Sequence, residues 1–348
     1  MSVSKPSAGL AAEAQFDEIP PGFEPEGIEL APGTGPWQLA VRRLRRNKVA
    51  LFFGALFVLI VAMSLLAPVY AHDIAHTGPA AENLAGSVKI NGKPVEVVDS
   101  LGVGIGPTWN FSHYFLGADG LGRDIAVRLL YGTRTSLEIG AVATVITMLL
   151  AIVVGVVAGF FRGPIDIVLT LIMDIIWAYP VLLLGIAIGT ILAVGGIGPL
   201  HSTNNFVPAG VIGFVYFPYI AKPLRAQVLS LREREFIDAA RQQGLGNLRL
   251  MFSEVLPNLA SSIVVFIPLV LANAILFEAA LTYLGAGVQP PNSSLGTMLS
   301  DSIDQFPAAF SHILAPGLML VLAVLSINVF GDGLRDALDP RAKVRIGR

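Results

Sequence analysis

Long apolar blocks recur along this chain, and short stretches rich in charge, glycine or proline separate them. Each block carries few charges over about 20 residues, the length that an α-helix needs to cross the hydrocarbon core of a bilayer. The pattern predicts an all-α polytopic membrane protein with six transmembrane helices, at about 49–70, 136–161, 165–194, 206–229, 259–284 and 312–330.

Clusters of Lys and Arg orient the predicted helices, because cytoplasmic loops hold an excess of both residues. Five positive charges come directly before the first span, namely Arg42, Arg43, Arg45, Arg46 and Lys48. A second basic group follows the sixth span, with Arg335, Arg341, Lys343, Arg345 and Arg348. Six spans return the chain to the side on which it starts, so both termini are predicted to be cytoplasmic.

The segments between and beyond the spans complete the predicted organisation. The chain divides into a disordered acidic cytoplasmic tail (1–36), a basic segment with the first span (37–70), an extracytoplasmic loop region (71–135), a core with five spans (136–331) and a cytoplasmic tail (332–348). The first tail combines Pro, Gly and acidic residues without an apolar period, which is typical of disorder. In the loop region, alternation around Asn91-Gly92 predicts a β-hairpin at 88–98, and residues 124–130 predict a short helix along the membrane.

Composition agrees with the apolar pattern and narrows the chemistry. Of the 348 residues, 54% are hydrophobic and 14% are charged, against about 25% charged in a soluble domain. The sequence contains no cysteine, which excludes disulfides and thiolate metal sites. His72 and His76 stand four residues apart but have no third ligand nearby, so no metal site is predicted.

Motifs for nucleotide binding or catalysis are not recognisable. Gly102-Val103-Gly104 and Gly120-Leu121-Gly122 lack the flanking strand and helix of a phosphate-binding loop. We therefore expect no cofactor in this chain, and any ATP and Mg²⁺ to be bound by partner subunits. No Ser/His pair, His-Glu-x-x-His or paired-aspartate motif falls in the predicted spans, so the chain is not predicted to be an enzyme. We also expect no nucleic acid partner.

The most charged internal stretch comprises residues 232–258, between the fourth and fifth spans, and is called the charged segment below. Residues 235–243 have helical spacing. One side of that helix would hold Phe236, Ala239, Ala240 and Gln243. Gly244 is predicted to end the helix, since glycine adopts the left-handed conformation at little cost.

A second helix is predicted at 248–256 of the charged segment. Asn247 would cap it, and Pro257 suits the first turn of the helix that follows. Because two such polar helices cannot enter lipid, the charged segment is predicted to lie on one membrane face.

The charged segment resembles the EAA loop of ABC-importer permeases, in which an E-A-A triplet, a glycine and a later Leu-Pro recur at fixed spacing. The matching residues are Asp238, Ala239, Ala240, Gly244, Leu256 and Pro257. Asp238 replaces the usual glutamate and keeps its charge. The resemblance implies that these residues, together with Glu235, dock on a cytoplasmic ATPase subunit. The alternative interpretation is an interfacial amphipathic loop of an unrelated membrane protein.

Two further stretches carry a more specific resemblance. The first contains Leu116-Gly117, Asp119, Leu121-Gly122-Arg123-Asp124, Arg128-Leu129-Leu130-Tyr131-Gly132 and Arg134. The second contains Gly285, Gly287, Val288, Gln289, Pro290, Pro291 and Gly296. Both are similar to the C-type permease of the dipeptide/oligopeptide/nickel subfamily of ABC importers.

That resemblance implies a type I ABC-importer permease fold and import of di- or oligopeptides, with nickel or glutathione as alternative substrates. It implies a second permease subunit, two cytoplasmic ATP-binding subunits and an extracytoplasmic solute-binding protein as partners, besides membrane lipid. It also implies a location in the bacterial plasma (inner) membrane.

Two acidic residues within the predicted spans, Asp174 and Glu278, are candidate residues of the translocation path. Ionisable groups at membrane depth are costly and often functional. Asp174 could equally lie among headgroups or be paired within the bundle, and Glu278 could make a helix contact. An ion-coupled secondary transporter that uses both residues as carriers is the alternative class of function. It is disfavoured because no inverted repeat is detectable.

Overall fold

The computed structural model describes residues 36–90, 92–195, 206–303 and 310–338. Nearly all of the predicted acidic tail (1–36) and most of the predicted C-terminal tail (332–348) therefore lie outside the described residues. Within the described ranges the chain is mainly helical and has one two-stranded sheet.

Twelve helices occur in these described ranges. In chain order they are α1 (Pro36–Leu44), α2 (Lys48–Leu65), α3 (Ala67–Val69), α4 (Ile125–Phe161), α5 (Pro164–Ala178), α6 (Val181–Gly195), α7 (Phe206–Leu231), α8 (Glu235–Gln242), α9 (Asn247–Leu250), α10 (Leu256–Tyr283), α11 (Leu295–Ile303) and α12 (Phe310–Leu338). The π-helical turns Tyr70–Ile74 and Met251–Val255 follow α3 and α9 without a break. The strands are β1 (Ser87–Ile90) and β2 (Lys93–Glu96).

Five of these helices are long and apolar enough to cross a membrane, namely α2, α4, α7, α10 with the turns before it, and α12. α5 and α6 meet the same criterion together, with a bend of 91° between them. The bend lies at Tyr179-Pro180, where Tyr179 is extended (ψ 144°), because a residue before proline disfavours the helical conformation. The third predicted span is thus a broken helix. Counted as one segment, it confirms the predicted fold of six transmembrane segments.

The second span is longer than predicted. The prediction of a separate short helix at 124–130 is wrong, since α4 is a single helix of 37 residues, about 55 Å long. Asp124 caps it by accepting a hydrogen bond from the Ala126 N–H group at 2.8 Å. Gly132 does not end the helix. It lets another segment approach, because a Cβ there would lie 3.1 Å from the Ser294 carbonyl carbon.

Small residues allow α4 to pack closely along α7. A Cβ on Gly155 would lie 2.7 Å from the Ala221 oxygen, and one on Gly159 would lie 2.7 Å from the Val228 Cβ. Glycine therefore brings the two helix backbones together at both positions. Buried clusters along this interface also include residues of α10, so these three helices form the centre of the bundle.

We expect Gly159→Ala to lower the thermal unfolding temperature of the purified protein. The added methyl group would overlap Val228, and overpacking of this kind costs about 1–3 kcal/mol. Gly210→Ala is the matched control, because a Cβ on Gly210 of α7 meets nothing within 4 Å and alanine favours a helix. Equal unfolding temperatures for the two variants in one detergent would contradict the close α4–α7 packing.

The remaining helices flank this centre. α12 continues to Leu338, beyond the predicted end of the sixth span, and packs against α10, α2 and α1. A Cβ on Gly333 would overlap Ala50, so the last turns of α12 contact the first turn of α2. α11 was not predicted as a helix. It lies in the predicted external loop and packs against α4, α10 and α12.

The predicted β-hairpin is confirmed. β1 and β2 pair antiparallel, with Ile90 opposite Lys93. Gly92 between them has φ +81°, the conformation that glycine adopts readily in tight hairpin turns. Asn91, the other predicted turn residue, lies outside the described residues.

Tyr70 connects the end of the first span to the loop region. Its hydroxyl donates to the Phe111 carbonyl oxygen at 3.0 Å. Burial, assisted by the negative charge of Asp124, raises the pKa of Tyr70 to about 12, so the hydroxyl keeps its proton at neutral pH. Burial also raises the pKa of the Asp124 carboxyl, although hydrogen bonds from backbone N–H groups oppose that change.

Candidate functional site

The charged segment contains a helix, a glycine turn and a second helix, as the sequence predicts. Gly244 follows α8 in the left-handed conformation (φ +85°), which costs other residues about 1–2 kcal/mol. Two details of the prediction are wrong. Gly246, rather than Asn247, is the N-cap residue of α9. The second helix does not end at 256 but runs through the turn Met251–Val255 into α10, so it is continuous with the fifth span.

One face of the charged segment is buried against the ends of α4 and α7. Ile237, Leu250 and Val255 are fully buried. They pack in one cluster with Phe160 of α4 and Val228 of α7. This apolar contact fixes the position of the charged segment relative to the spanning helices.

The sequence pattern misplaced the apolar side of α8. Among the described residues of α8, only Ile237 is buried, whereas Phe236 is 39% exposed. Ala240 packs partly buried against the same cluster as Ile237. A helix of eight residues has too few turns for periodicity alone to show which side faces the protein.

The candidate coupling residues differ in exposure. The exposed ones are Glu235, Asp238, Ala239, Gly244 and Pro257, and the half-buried ones are Ala240 and Leu256. Two large apolar side chains without a predicted role, Leu248 and Phe252, are each 67% exposed in the same segment. Exposed apolar side chains beside charged groups are typical of a surface that binds another protein.

Two polar contacts fix the charged segment to the end of α4. Arg232 donates to the Phe160 carbonyl oxygen, and its guanidinium carbon lies 5.9 Å from the Phe160 ring centroid. Glu233 forms an ion pair with Arg162, the residue that follows α4. Together with the buried face, these contacts join movement of the charged segment to movement of α4.

Asp174 is paired on the surface of the bundle. Its carboxylate lies 2.7 Å from the Lys222 ammonium group, and 54% of the Asp174 side chain is exposed. The ammonium group also lies 4.8 Å from the Trp177 ring centroid. Pairing within the bundle is one of the alternatives that the sequence left open, and a role in translocation stays a prediction.

Glu278 lies elsewhere and is fully buried. Its Oε1 accepts a hydrogen bond from the Thr282 hydroxyl at 2.8 Å, and the Ser136 and Ser294 hydroxyls lie beside the carboxyl group. Oε2 has no hydrogen-bond partner among the described residues. The described contacts of Glu278 and Asp174 have no residue in common, so the structure does not bring these two candidates into one site.

A buried cluster of ion pairs around the start of α4 was not predicted from the sequence. Arg128 is 3% exposed and donates to Asp119, and to Asp301 of α11 at 2.8 Å. Arg123 donates to the same two carboxylates at 2.7 and 2.8 Å. The spacing of Asp119 and Arg123 was a weak signal for one of these contacts. Asp301 is far away in sequence, and no sequence signal indicated its contacts with Arg123 and Arg128.

Comparison with protein families agrees with this architecture. Residues 151–344 match the family described as the inner membrane component of binding-protein-dependent transport systems. Residues 35–86 match the family described as the N-terminal transmembrane domain of oligopeptide transport permease C. The two matches cover most of the described spanning helices.

Curated relatives are similar over much of the chain. A dipeptide transport system permease protein of Alkalihalophilus pseudofirmus is 37% identical over 88% of this chain and 91% of its own. A di/tripeptide transport system permease protein of Pseudomonas aeruginosa is 42% identical over 68% of this chain and 76% of its own. A glutathione transport system permease protein of Pectobacterium atrosepticum is 33% identical over 88% and 92%, respectively.

The fold is also similar to a solved structure of the inward-facing MetNI methionine ABC transporter. The TM-score is 0.51 at 18% identity, over 62% of this chain and 98% of that one. Six transmembrane segments agree with the membrane component of a transport system. The chain belongs to the family of binding-protein-dependent transport system inner membrane components, as the transmembrane subunit of an ABC importer. Its resemblance to the C-type permeases within that family is confirmed.

Proposed function

We propose that this protein forms one half of the translocation pathway of an ATP-driven importer of di- or oligopeptides. The names of relatives at 37% and 42% identity, which specify dipeptide and di/tripeptide transport, support this substrate class. The observation that carries the coupling role is the charged segment, which is exposed on one face, buried on the other and continuous with α10. ATP and Mg²⁺ are bound by the partner ATPase subunits.

A displacement of the charged segment would be transmitted directly to three spanning helices, α4, α7 and α10. In the proposed cycle, a solute-binding protein delivers the peptide at the outer face, and two ATPase subunits close on ATP at the inner face. Their movement displaces α8, which packs through Ile237 against the ends of α4 and α7. Because α9 continues into α10, the same displacement turns the fifth span and opens the pathway outward.

Each candidate coupling residue has its own role in docking. Ala239 keeps the exposed side of α8 thin enough to enter a groove on the ATPase subunit. Glu235 and Asp238 offer negative charge to basic groups there. Gly244 sets the angle between α8 and α9. The supporting positions beneath or beside this surface are Ala240, Leu256 and Pro257.

The family supports a location in the bacterial inner membrane, and the charge pattern supports the orientation. The protein lies in the bacterial inner membrane with both termini in the cytoplasm, as the basic group at 42–48 supports. A second permease subunit completes the pathway, and Asp174 and Glu278 are its candidate ionisable residues in this chain. As a transport subunit, the protein has no catalytic step of its own.

Reconstitution tests this function. We expect liposomes that hold this protein with its second permease, its ATPase subunits and its binding protein to accumulate a radiolabelled dipeptide only when ATP is hydrolysed. Unlabelled tripeptide and glutathione are added in turn as competitors, and the degree to which each inhibits dipeptide uptake gives the order of substrate preference. Uptake driven by a proton or sodium gradient in the absence of ATP would contradict the proposal and favour a secondary transporter that uses Asp174 and Glu278.

A further inference from the structure

One surface of α5 and α7 carries charge and aromatic rings together. Asp174 and Lys222 form an ion pair there at 2.7 Å, with side chains 54% and 35% exposed. Trp177 and Tyr219 are each 40% exposed, and their ring centroids lie 5.6 Å apart. These four residues are called the charged aromatic surface below.

The charged aromatic surface lies at membrane depth. α7 has 26 residues, about 39 Å in length, which is about 9 Å more than the hydrocarbon core of a bilayer. Lys222 is nine residues from the end of α7 at Leu231, about 14 Å away. If α7 is untilted and its whole excess length projects at that end, Lys222 lies about 5 Å inside the edge of the hydrocarbon core.

Lipid is an unsuitable neighbour for such a surface. Charged side chains at this depth almost always face the interior of a bundle or a cavity filled with water, because lipid tails cannot solvate them. More than half of the Asp174 side chain is nevertheless uncovered in this chain alone. The charged aromatic surface therefore faces water or a protein partner, as the wall of a translocation pathway between two permeases would.

A neighbouring ion pair shows a different arrangement on the same two helices. Asp166 of α5 accepts two hydrogen bonds from Arg225 of α7, at 2.5 and 2.6 Å, and the two side chains are 15% and 27% exposed. Asp174 has a single contact with Lys222 and is far more exposed. Because the covered, two-point pair already holds α5 on α7, the exposed pair is available to exchange partners.

We propose that the charged aromatic surface is a substrate subsite of the pathway, which binds the charged termini of a peptide; this rests on the function proposed above. The Asp174 carboxylate binds the α-ammonium group of the peptide, and the Lys222 ammonium group binds its α-carboxylate. Trp177 and Tyr219 contact the apolar parts of the peptide. When the pathway is empty, Asp174 and Lys222 bind each other, so neither charge is left unpaired at membrane depth.

Recognition of this kind suits a pathway that must release its cargo. Every free dipeptide has both termini, so the subsite accepts many side chains. When the peptide binds, the ion pair between Asp174 and Lys222 is replaced by two ion pairs with the peptide termini. When the peptide leaves, Asp174 and Lys222 pair again. The net binding free energy is therefore small enough for the peptide to move onward. Blocked peptides lack one of the charges and leave Asp174 or Lys222 without a partner.

The test is ATP-driven uptake by the complete importer in liposomes, with one dipeptide supplied free, N-acetylated or C-amidated. Because the binding protein also selects among these forms, the measured quantity is the ratio of free to blocked uptake, compared between variant and wild type. Asp174→Asn is expected to lower the ratio of free to N-acetylated uptake about tenfold, the effect of losing one charge-assisted hydrogen bond. Lys222→Met is expected to lower the ratio of free to C-amidated uptake about tenfold, for the same reason.

Asp166→Asn is the matched control, since it makes the same chemical change on the same helix and also breaks an ion pair. We expect it to alter uptake of all three peptides by one factor and to leave the ratios unchanged. The exchanged pair, Asp174→Lys with Lys222→Asp, retains an ion pair. It therefore controls for loss of assembly caused by an unpaired charge. Because this variant still offers one carboxylate and one ammonium group, a subsite predicts that it discriminates against both blocked peptides better than Asp174→Asn or Lys222→Met, whereas a purely structural pair predicts wild-type ratios in all three variants.

Unchanged ratios in both Asp174→Asn and Lys222→Met would overturn the subsite while leaving peptide import intact. Failure of the wild-type importer to take up any of the three peptides would overturn the proposed function itself. Retention of the ATPase subunits during purification shows that each variant is assembled.

Discussion

Gly244→Arg is expected to reduce ATP-driven uptake about tenfold or more, while the protein remains folded in the membrane. Gly244 has φ +85°, and a Cβ built there meets nothing within 4 Å. The first side-chain atom therefore meets no other atom of this chain. Arginine in the left-handed conformation would strain the backbone by about 1–2 kcal/mol. If the backbone instead adopts another conformation, the angle between α8 and α9 changes. Uptake and co-purification of the ATPase subunits should fall together.

Gly246→Arg is a matched control for this effect. It places the same side chain two residues later, at a position where a Cβ also meets nothing within 4 Å. Gly246 has φ −71°, however, which any residue adopts. We expect it to lower uptake much less than Gly244→Arg. If both variants lose uptake equally, crowding of the surface, rather than the left-handed turn, is what disrupts docking.

Arg128→Ala is expected to lower the folding stability measurably. The side chain is 3% exposed and lies between the carboxylates of Asp119 and Asp301. Removal of one partner from a buried ion pair costs about 3–5 kcal/mol when the remaining charge has no other partner. Arg123 still pairs with both carboxylates, so we expect a loss at or below the lower end of that range. The thermal unfolding temperature in detergent should fall, and α11 should become accessible to protease first.

Arg134→Ala removes the same type of side chain from the same helix. Arg134 and Glu138 form an exposed ion pair with side chains 38% and 55% exposed, and such pairs contribute about 0–1 kcal/mol. We expect little change in its unfolding temperature. Similar losses for the two arginine variants would show that α11 is held by its apolar contacts, with little contribution from Arg128.

Features with a local physical cause were predictable from the sequence. The spans follow from the length of apolar block that a bilayer requires, and the hairpin follows from the conformations that Asn91-Gly92 favours. The turn at Gly244 follows from the absence of a Cβ. Each of these depends on a few adjacent residues, so the sequence alone was sufficient.

Features that depend on distant contacts were not predictable. The separate helix predicted at 124–130 is part of α4, and the close approach of Ser294 to Gly132 had no local signal. The sequence predicted one span at 165–194, and not two helices with a bend of 91° between them. Arg128 and Asp301 are 173 residues apart in sequence, and no local pattern indicates that they meet.

The candidate coupling site was located from the sequence, but its orientation was not. Spacing from Asp238 to Pro257 identified the charged segment. The burial of Ile237, and the exposure of Leu248 and Phe252, appeared only once α4 and α7 were in place around it. Motif spacing thus indicates where a partner binds, whereas packing decides which side chains it meets.

The π-helical turn at Met251–Val255 has a consequence for the length of this part of the chain. Each residue of a helix advances it by about 100° around the axis, and a π-helical turn holds one residue more than a regular turn. Deletion of one residue in this turn would therefore leave a regular helical turn and keep the docking surface in nearly the same direction, whereas insertion of one residue would rotate that surface by roughly a quarter of a revolution about the fifth span. This stretch should tolerate the loss of one residue more readily than the gain of one.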